Sequence, residues 1–344
     1  MRALVKTQAG PGHLEYKEVP EPTPGPGEVR IRVKACGICG TDLHIRDDTF
    51  PNYPPVVLGH EFSGVVDQLG PGVTGLEPGK RVVSEVVYQT CGRCRACKTG
   101  AYNLCLARRG LGWGAHGAFA PLTVVEAGNV HPMPNNLSFE EAALSEPLAV
   151  SAYAVCELTQ VTAGDLVLVL GPGPIGLLVA QCAAAEGGRV IVGGTRADAE
   201  RLNLARELSA YAVVNTEEED ATALLRELGD GLGADVVFEC SGAARAAQTG
   251  LMAVRKGGKY MQVGLFGRPI EWNLDQVATK ELTVLGVFSS NWRGWHRGLR
   301  LAGQGRVRLR PLISHIFPLA EWERGFDIAE KKQGLKVLLI PEES

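Results

Sequence analysis

The sequence predicts a protein of two parts, a β-rich domain followed by a doubly wound α/β domain. Three observations support this prediction. The chain has 344 residues, which is long for a single hydrophobic core. Its first half alternates apolar and polar residues between turn signals, a pattern typical of short antiparallel strands. From residue 165 onward, strands alternate with helices of about ten to fifteen residues, which indicates a parallel sheet.

The predicted strands of the β-rich part lie in three segments, "GEVRIRVKACGIC", "FSGVVDQLG" and "KRVVSEVVYQT". The stretch "VPEPTPGPGE" at 19–28 lacks too many N–H donors to be a strand interior, so we expect a loop there. Near residue 138 the pattern changes to helical spacing. Ser138, with Glu141 three residues later, forms a candidate capping box at the start of a helix.

The α/β part begins with a buried strand, "DLVLVLG", and a helix, "PIGLLVAQCAAAEG". The elements expected after these are strand "RVIVGG", helix "ADAERLNLARELSA", strand "YAVVN", a helix near 218–228, strand "ADVVFECSG", helix "AARAAQTGLMAVRKG", and strands "GKYMQVGL" and "LTVLGVFS". After Phe288 the alternation stops. We therefore predict a first domain of residues 1–150 and 289–344, with a small lobe at 91–105, and a second domain of residues 151–288.

Composition excludes some classes of partner. A formal charge of −3 argues against a nucleic-acid surface. The N-terminus "MRALVKTQAG" has no apolar signal segment, and the apolar runs are too short for a bilayer. We expect a cytoplasmic protein with a small-molecule substrate, where clustered cysteines favour metal binding over disulfides.

The segment "GPGPIG" ends the first strand of the α/β part and opens a helix. Gly171, Gly173 and Gly176 match the G-x-G-x-x-G pattern that binds a dinucleotide. The first glycine permits a tight turn, the second lets the backbone approach a pyrophosphate, and the third lets helix and strand pack closely. Pro174 suits the first helical turn, and Ile175 lies within the same turn. The alternative is a purely structural turn.

The end of the second α/β strand indicates which cofactor is used. NAD sites place an acidic residue there, whereas this chain has glycine or Thr195 followed by Arg196. With Arg201, these residues favour NADP or dual use, because arginine pairs with a 2′-phosphate. The alternative is that Arg196 is a solvated loop residue. The expected cofactor site also includes two residues at the end of a later strand, Val263 and Gly264.

Four cysteines are crowded into the segment "CGRCRACKTGAYNLC". Cys91, Cys94, Cys97 and Cys105 supply the four thiolates of a closed tetrahedral zinc site. Such a site has no open position, so it stabilises a lobe rather than catalysing. The alternatives are a redox C-x-x-C pair and a cysteine ribbon that binds nucleic acid or protein.

Two further segments contain candidate metal ligands, "CGICGTDLH" from Cys36 to His44 and "GHEFSG" at 59–64. Together with the cysteine cluster and the glycine turn, they resemble the zinc-dependent medium-chain dehydrogenases/reductases over essentially the whole chain. The segments "GHE" and "SEPLAV" are similar to the polyol (sorbitol/xylitol) and L-threonine 3-dehydrogenase branch. The resemblance implies a GroES-like catalytic domain and a Rossmann cofactor domain.

The resemblance also implies roles for individual residues. The implied ligands of a catalytic zinc are Cys39, His60, Glu61 and, directly or through water, Glu146. Asp42 would orient His60, and Thr41 and His44 would relay the proton released on oxidation. Each subunit would then hold two zinc ions, one catalytic and one structural.

The implied activity is hydride transfer between a secondary alcohol or polyol and NAD or NADP. The alternatives are an L-threonine 3-dehydrogenase and a zinc-stabilised, non-catalytic binding protein. The branch implies a homodimer or homotetramer, with "LTVLGVF" as a candidate edge strand between subunits. The segment "VFSSNWRGW" departs from the polyol pattern. Its residues Trp292, Arg293 and Trp295 either line the substrate pocket or pack between domains or subunits.

Overall fold

The computed structural model describes residues 1–342. The chain divides into two compact units, one formed by Met1–Glu146 with the segment from Leu309 onward, the other by Pro147–Arg308. Among the described residues, no helix combines the length and the apolar character needed to cross a membrane.

The first unit consists mainly of short strands. Before residue 146 they are β1 (Arg2–Lys6), β2 (Leu14–Glu18), β3 (Glu28–Gly37), β4 (Val56–Val57), β5 (Glu61–Leu69), β6 (Arg81–Ser84), β7 (Val87–Gln89), β8 (Arg109–Gly110), β9 (Leu122–Glu126) and β10 (Val130–Pro132). The helices are α1 (Gly40–Arg46), α2 (Arg95–Lys98) and α3 (Phe139–Ala142). The predicted capping box at α3 is confirmed, since Glu141 N donates to Ser138 Oγ at 3.2 Å and Ser138 N to the Glu141 carboxylate at 2.8 Å.

Helix α4 (Ser145–Ala152) leads into the second unit and continues as a π-helical turn, Tyr153–Thr159. The strands that follow are β11 (Leu166–Leu170), β12 (Arg189–Gly194), β13 (Ala212–Asn215), β14 (Ala234–Glu239), β15 (Val254–Gln262) and β16 (Thr283–Gly286). The helices are α5 (Pro174–Ala185), α6 (Ala199–Leu208), α7 (Ala221–Leu228), α8 (Ala244–Ala253), α9 (Asp275–Thr279) and α10 (Trp292–Gly303). The six strands pair in parallel in the order β13-β12-β11-β14-β15-β16. The predicted doubly wound parallel sheet is thereby confirmed.

The helix expected at 243–257 is shorter than the sequence suggested. Helix α8 ends at Ala253, and β15 begins at Val254. Pairing explains the difference, because Ala234 of β14 lies opposite Val254 while Val236 lies opposite Lys259. The extra residues of β15 are absorbed in an irregularity of the ladder, and sheet pairing overrides the local helical pattern.

Helix α10 belongs to the second unit, whereas the sequence placed residues 289–308 in the first domain. Its glycines permit close packing on α4: a Cβ on Gly294 would lie 2.6 Å from the Ala149 carbonyl oxygen, and one on Gly298 would lie 3.1 Å from the Leu148 side chain. Trp295 is buried within this unit, while Trp292 is about half exposed and stacks on a histidine.

The chain returns to the first unit through β17 (Ile313–Pro318), α11 (Trp322–Glu330) and β18 (Lys336–Ile340). These strands complete a sheet ordered β10-β6-β5-β3-β18-β17, in which β9 also pairs with β3. Its core includes Ile31, Phe62, Phe119 and Leu339. Gly37 of β3 lies opposite both Glu61 of β5 and Leu338 of β18. The C-terminal strand is thereby brought close to the start of β5.

Candidate active site

The start of α1 and the start of β5 bring three predicted ligands together in the first unit. Cys39 is the N-cap of α1, Glu61 is the first residue of β5, and His60 precedes it. One ligand atom from each lies within 4.8 Å of the others. His60 and Glu61 are buried. A thiolate, an imidazole and a carboxylate form a donor set that suits zinc and leaves a fourth tetrahedral position open.

Asp42 is buried next to this cluster. Its Oδ2 accepts a hydrogen bond from the Cys39 backbone N–H at 2.9 Å, and its Oδ1 lies 3.6 Å from His60 Nδ1. Both of these facing atoms are buried without a hydrogen-bond partner in the described residues. Burial lowers the pKa of His60, but Asp42 and Cys39 outweigh it and raise that pKa well above the usual value. A carboxylate behind an imidazole is the arrangement that orients a metal-binding histidine.

Glu61 has a second partner that the sequence did not reveal. Lys336 Nζ, at the start of β18, lies 2.9 and 2.6 Å from the two carboxylate oxygens and donates to the Ile38 carbonyl at 3.2 Å. Burial lowers the pKa of Lys336, but the Glu61 charge outweighs it and raises that pKa. Gly37 makes room, since a Cβ there would lie 2.5 Å from Glu61 Oε2. The only sequence signal is a lysine that opens an apolar strand.

Glu146 lies outside the three-residue cluster but within its electrostatic field. It is in the first turn of α4, and burial raises its pKa to about 7. The charges of His60, Glu61, Lys336 and Arg108 also act on it. Burial lowers the pKa of Arg108, and the Glu146 charge opposes that shift. Arg108 is a second charged residue that the sequence analysis missed.

The two predicted relay residues lie along α1. Thr41 Oγ1 is 3.7 Å from Cys39 Sγ, so its hydroxyl borders the cluster. His44 lies one helical turn further along and is exposed, with its Nδ1 3.2 Å from Thr49 Oγ1. Helix α1 therefore runs from the cluster to the solvent.

The four cysteines of the small lobe also converge. The Sγ–Sγ distances are 3.9 Å for Cys91–Cys97, 3.5 Å for Cys94–Cys97 and 3.6 Å for Cys91–Cys105. Four sulfurs about 2.3 Å from a tetrahedral zinc would lie about 3.8 Å apart. The amide of Arg93 is the main cause that lowers the pKa of Cys91 to about 6. The described cysteines form no disulfide, and this group fits a closed zinc site.

A buried carboxylate anchors the lobe to the sheet. Tyr102 Oη, within the lobe, donates to Glu85 Oε2 at 2.6 Å, and His131 Nε2 of β10 lies 3.0 Å from Glu85 Oε1. Both Glu85 and His131 are buried. Helix α2 itself has no buried residue, so this anchor supplies a link to the sheet that the lobe's own packing lacks.

In the second unit, the glycine turn has the geometry that the pattern predicts. Gly171 has φ +96°, and a Cβ there would lie 2.6 Å from the Ser241 side chain. A Cβ on Gly176 would lie 2.0 Å from the Gly171 carbonyl oxygen. A Cβ on Gly173 would meet no atom within 4 Å, so the backbone is open there to a ligand. Gly173 caps α5 with Pro174 in the first turn, followed by Ile175, and the free amides of that turn suit a pyrophosphate.

The end of β12 is rich in charges of both signs. Thr195 caps a short 3₁₀ turn, and Asp198 accepts hydrogen bonds from its N–H and hydroxyl. Arg196 is largely exposed and pairs with Glu218 at 2.7 Å. Arg201 lies 3.4 Å from Asp198. The two predicted arginines thus already have acidic neighbours.

The remaining cofactor candidates, Val263 and Gly264, follow β15 at the carboxyl edge of the sheet. Both amides donate to the Glu239 carbonyl oxygen, at 2.9 and 2.8 Å. A Cβ on Gly264 would lie 2.3 Å from the Gly242 N atom. The turns after β11, β14 and β15 are therefore packed side by side, where parallel sheets bind nucleotides.

Comparisons with known proteins agree with this geometry. The family model "Alcohol dehydrogenase GroES-like domain" matches residues 25–135, and "Zinc-binding dehydrogenase" matches residues 174–304. The chain is 44% identical to a sorbitol dehydrogenase of Halalkalibacterium halodurans, with 99% of each chain covered. It is 37% identical to an L-threonine 3-dehydrogenase of Pyrococcus furiosus, covering 99% of this chain and 98% of the relative. A zinc-binding dehydrogenase of Sinorhizobium meliloti 1021, solved bound to NADP, superposes with a TM-score of 0.90 at 32% identity, covering 99% of each chain.

Proposed function

This chain belongs to the zinc-dependent medium-chain dehydrogenases, in the branch that contains the polyol and threonine dehydrogenases, and we propose that it transfers hydride between a secondary alcohol or polyol and NAD(P). The observation that carries the proposal is the open cluster of Cys39, His60 and Glu61, in a chain that also has a dinucleotide-binding turn.

Cys39, His60 and Glu61 are the proposed ligands of the catalytic zinc. Glu146 binds the metal through water in this proposal, because its carboxylate lies outside the compact group of three. Zinc bound at this cluster would supply Lewis acidity that favours loss of the substrate hydroxyl proton, and a cofactor held at the glycine turn would supply the hydride acceptor.

The protein's own residues orient the cluster and move the proton. The Asp42 carboxylate faces His60 Nδ1 at 3.6 Å, which leaves the other ring nitrogen for the metal. The Thr41 hydroxyl, close to Cys39 Sγ, would accept the substrate proton and release its own toward the exposed end of α1, where His44 lies. His44 releases that proton to water, since its imidazole is exposed one turn along α1.

The four-cysteine lobe has a structural role in this proposal. Cys91, Cys94, Cys97 and Cys105 hold a second zinc that has no open position, so each subunit binds two ions. The sulfur spacings and the Glu85 anchor support this role. The unit with both metal clusters is the catalytic domain, and the unit with the parallel sheet is the cofactor domain.

For the cofactor, we propose use of NAD or NADP, with Arg196 setting the balance. Its ion pair with Glu218 is exposed and contributes little, so a 2′-phosphate can replace that partner. Arg196→Ala is expected to lower kcat/KM for NADP about tenfold, the effect of losing one charge-assisted contact, and to leave NAD nearly unchanged. Arg206→Ala, on α6, is the matched control. Equal effects on both cofactors would exclude this role.

A substrate panel tests the activity itself. The zinc-loaded protein is assayed with polyols, simple secondary alcohols and L-threonine, each with NAD and with NADP, by absorbance of the reduced nicotinamide. We expect oxidation of a polyol or secondary alcohol. Threonine as the preferred substrate would support the alternative suggested by the Pyrococcus furiosus relative. No oxidation of any substrate would favour a non-catalytic binding protein.

We also propose that the chain forms a homodimer or homotetramer. Strand β16 is the last of its sheet and is largely exposed, and Phe288, just after it, is about half exposed. Unpaired edge strands of this kind pair readily with a second copy. A monomeric mass by light scattering would overturn this proposal.

A further inference from the structure

Glu239, at the carboxyl end of β14, is a buried acidic residue that the proposed mechanism does not use. Its side chain is fully buried. Its Oε1 accepts hydrogen bonds from the Ser241 N–H at 2.8 Å, from the Ser241 hydroxyl, and from the Gly242 N–H at 3.0 Å. Its Oε2 accepts from Gln262 Nε2 at 2.7 Å and from the Gly242 N–H at 3.1 Å. Neutral groups therefore satisfy both oxygens.

The contacts of Glu239 indicate a carboxylate rather than a carboxylic acid. Two backbone amides and the Gln262 side-chain amide can only donate to it, and such hydrogen bonds favour the charged form, whereas the Ser241 hydroxyl can either donate or accept. The Gln262 amide has its orientation fixed, because its Oε1 accepts from Tyr260 Oη at 3.0 Å and its Nε2 donates to the Gly264 carbonyl at 2.7 Å. Among residues 1–342, no cation forms a salt bridge with Glu239. The carboxylate is therefore buried and is held by hydrogen bonds from neutral groups rather than by an ion pair.

Glu239 also joins the turns that border the nucleotide crevice. Its side chain binds the Ser241–Gly242 turn, and through Gln262 it binds the turn at Gly264. The first of these turns packs against the glycine turn, since a Cβ on Gly171 would clash with Ser241. One carboxylate therefore fixes two of the turns after β11, β14 and β15 and supports the third.

The position of Glu239 in the sheet tells which half of a dinucleotide lies near it. In a sheet of this order, the half with the glycine turn binds the adenosine side, and the second half, which begins with β14, binds the other nucleotide. The dinucleotide proposed above would therefore place its nicotinamide half at the part of the sheet that contains Glu239. Oxidised nicotinamide carries a positive charge that the reduced form lacks, so a carboxylate in a site of low dielectric stabilises the oxidised form selectively.

We propose that Glu239 is a positioning residue for the cofactor: it fixes the turns beneath the nicotinamide half and favours the oxidised cofactor over the reduced one. The proposal rests on the dinucleotide binding proposed above. It also indicates the favoured direction of the reaction, since a site that binds the oxidised cofactor more tightly is suited to alcohol oxidation.

The test compares the affinities of oxidised and reduced cofactor in the full-length, zinc-loaded protein. Glu239→Gln keeps the shape of the side chain and removes the charge. We expect the Kd of the oxidised cofactor to rise on the order of tenfold and that of the reduced cofactor to change by less than about threefold. Cofactor binding is measured by tryptophan quenching and by fluorescence of the reduced nicotinamide. Glu227→Gln, an exposed glutamate of α7 in the same unit, is the matched control and should change neither Kd.

A second variant keeps the charge and loosens the turns. Gln262→Leu removes the bridge between Glu239 and Gly264, so we expect a several-fold higher KM for the cofactor, an equal effect on both redox forms and little change in kcat. An unchanged cofactor KM would overturn the positioning role even if Glu239→Gln did not fold. Equal changes in both Kd values for Glu239→Gln would overturn the charge effect. Failure of the wild type to bind either cofactor would instead refute the proposed function.

Discussion

The buried ion pair between Lys336 and Glu61 gives the sharpest prediction about stability. We consider Lys336→Met, which keeps the length of the side chain and removes its charge. In metal-free protein this leaves the Glu61 carboxylate buried, with no partner at 2.9 and 2.6 Å. Removing one member of a buried pair costs about 3–5 kcal/mol. At about 2–4 °C per kcal/mol for a unit of this size, the Tm should fall by roughly 6–20 °C.

The zinc-loaded form should be much less sensitive to the same change, because a metal bound by Glu61 replaces the lost positive charge. The assay is thermal unfolding of wild type and variant, each with and without chelator. The control is Lys80→Met, an exposed lysine of the same unit, which should leave the Tm unchanged. The double variant Lys336→Met/Glu61→Gln should recover much of the metal-free Tm, since neither charge remains. A fall of less than about 2 °C in the metal-free Lys336→Met variant would refute the reasoning.

Three further predictions follow from the structure. Gly173→Ala should fold normally and raise the cofactor KM about tenfold or more, because the added Cβ has free space only while no ligand is bound. Gly176→Ala should instead lose about 1–3 kcal/mol of stability, because its Cβ would lie 2.0 Å from the Gly171 carbonyl oxygen. Enzyme kinetics measure the first effect and thermal unfolding measures the second. Cys97→Ser should remove one zinc per chain and make the segment 91–105 sensitive to protease, and an unchanged zinc content would contradict the closed site. Burial raises the pKa of Glu146 from 4.5 to about 7. Between these two pH values, the folded metal-free protein keeps this proton while the unfolded chain has lost it. The free energy of unfolding should therefore fall as the pH rises from about 4.5 to 7. Glu146→Gln should abolish that dependence in thermal unfolding, and an unchanged pH profile would contradict the assignment.

Most of the fold could be predicted because its signals are local. The glycine turn and the cysteine cluster are short motifs whose spacing fixes their geometry. The alternation of strands and helices in the second half likewise lies within windows of about fifteen residues. The end of α8 was misjudged because ladder pairing, a tertiary effect, decides where β15 begins. Helix α10 was assigned to the wrong unit because its partner, α4, is distant in sequence.

The electrostatic parts of the site could not be predicted from the sequence for a similar reason. Lys336 lies 275 residues from Glu61, and only the order of strands in the sheet brings them together. Glu239 looks like an ordinary strand end, and its burial is visible only in the folded protein. Arg108 follows the cysteine lobe, and its proximity to Glu146 depends on how the lobe joins the sheet. Such residues have no motif, so a single sequence does not reveal them.

The central claim is that catalysis occurs at Cys39, His60 and Glu61, and that the four-cysteine group is structural. Measuring zinc content together with activity in wild type and Cys39→Ser tests this claim most directly. We predict two zinc ions per chain and nucleotide-dependent alcohol oxidation in the wild type. Cys39→Ser should retain one ion and a folded structure, with activity lower on the order of a thousandfold. A Cys39→Ser variant that retains both zinc ions and wild-type activity would contradict the account.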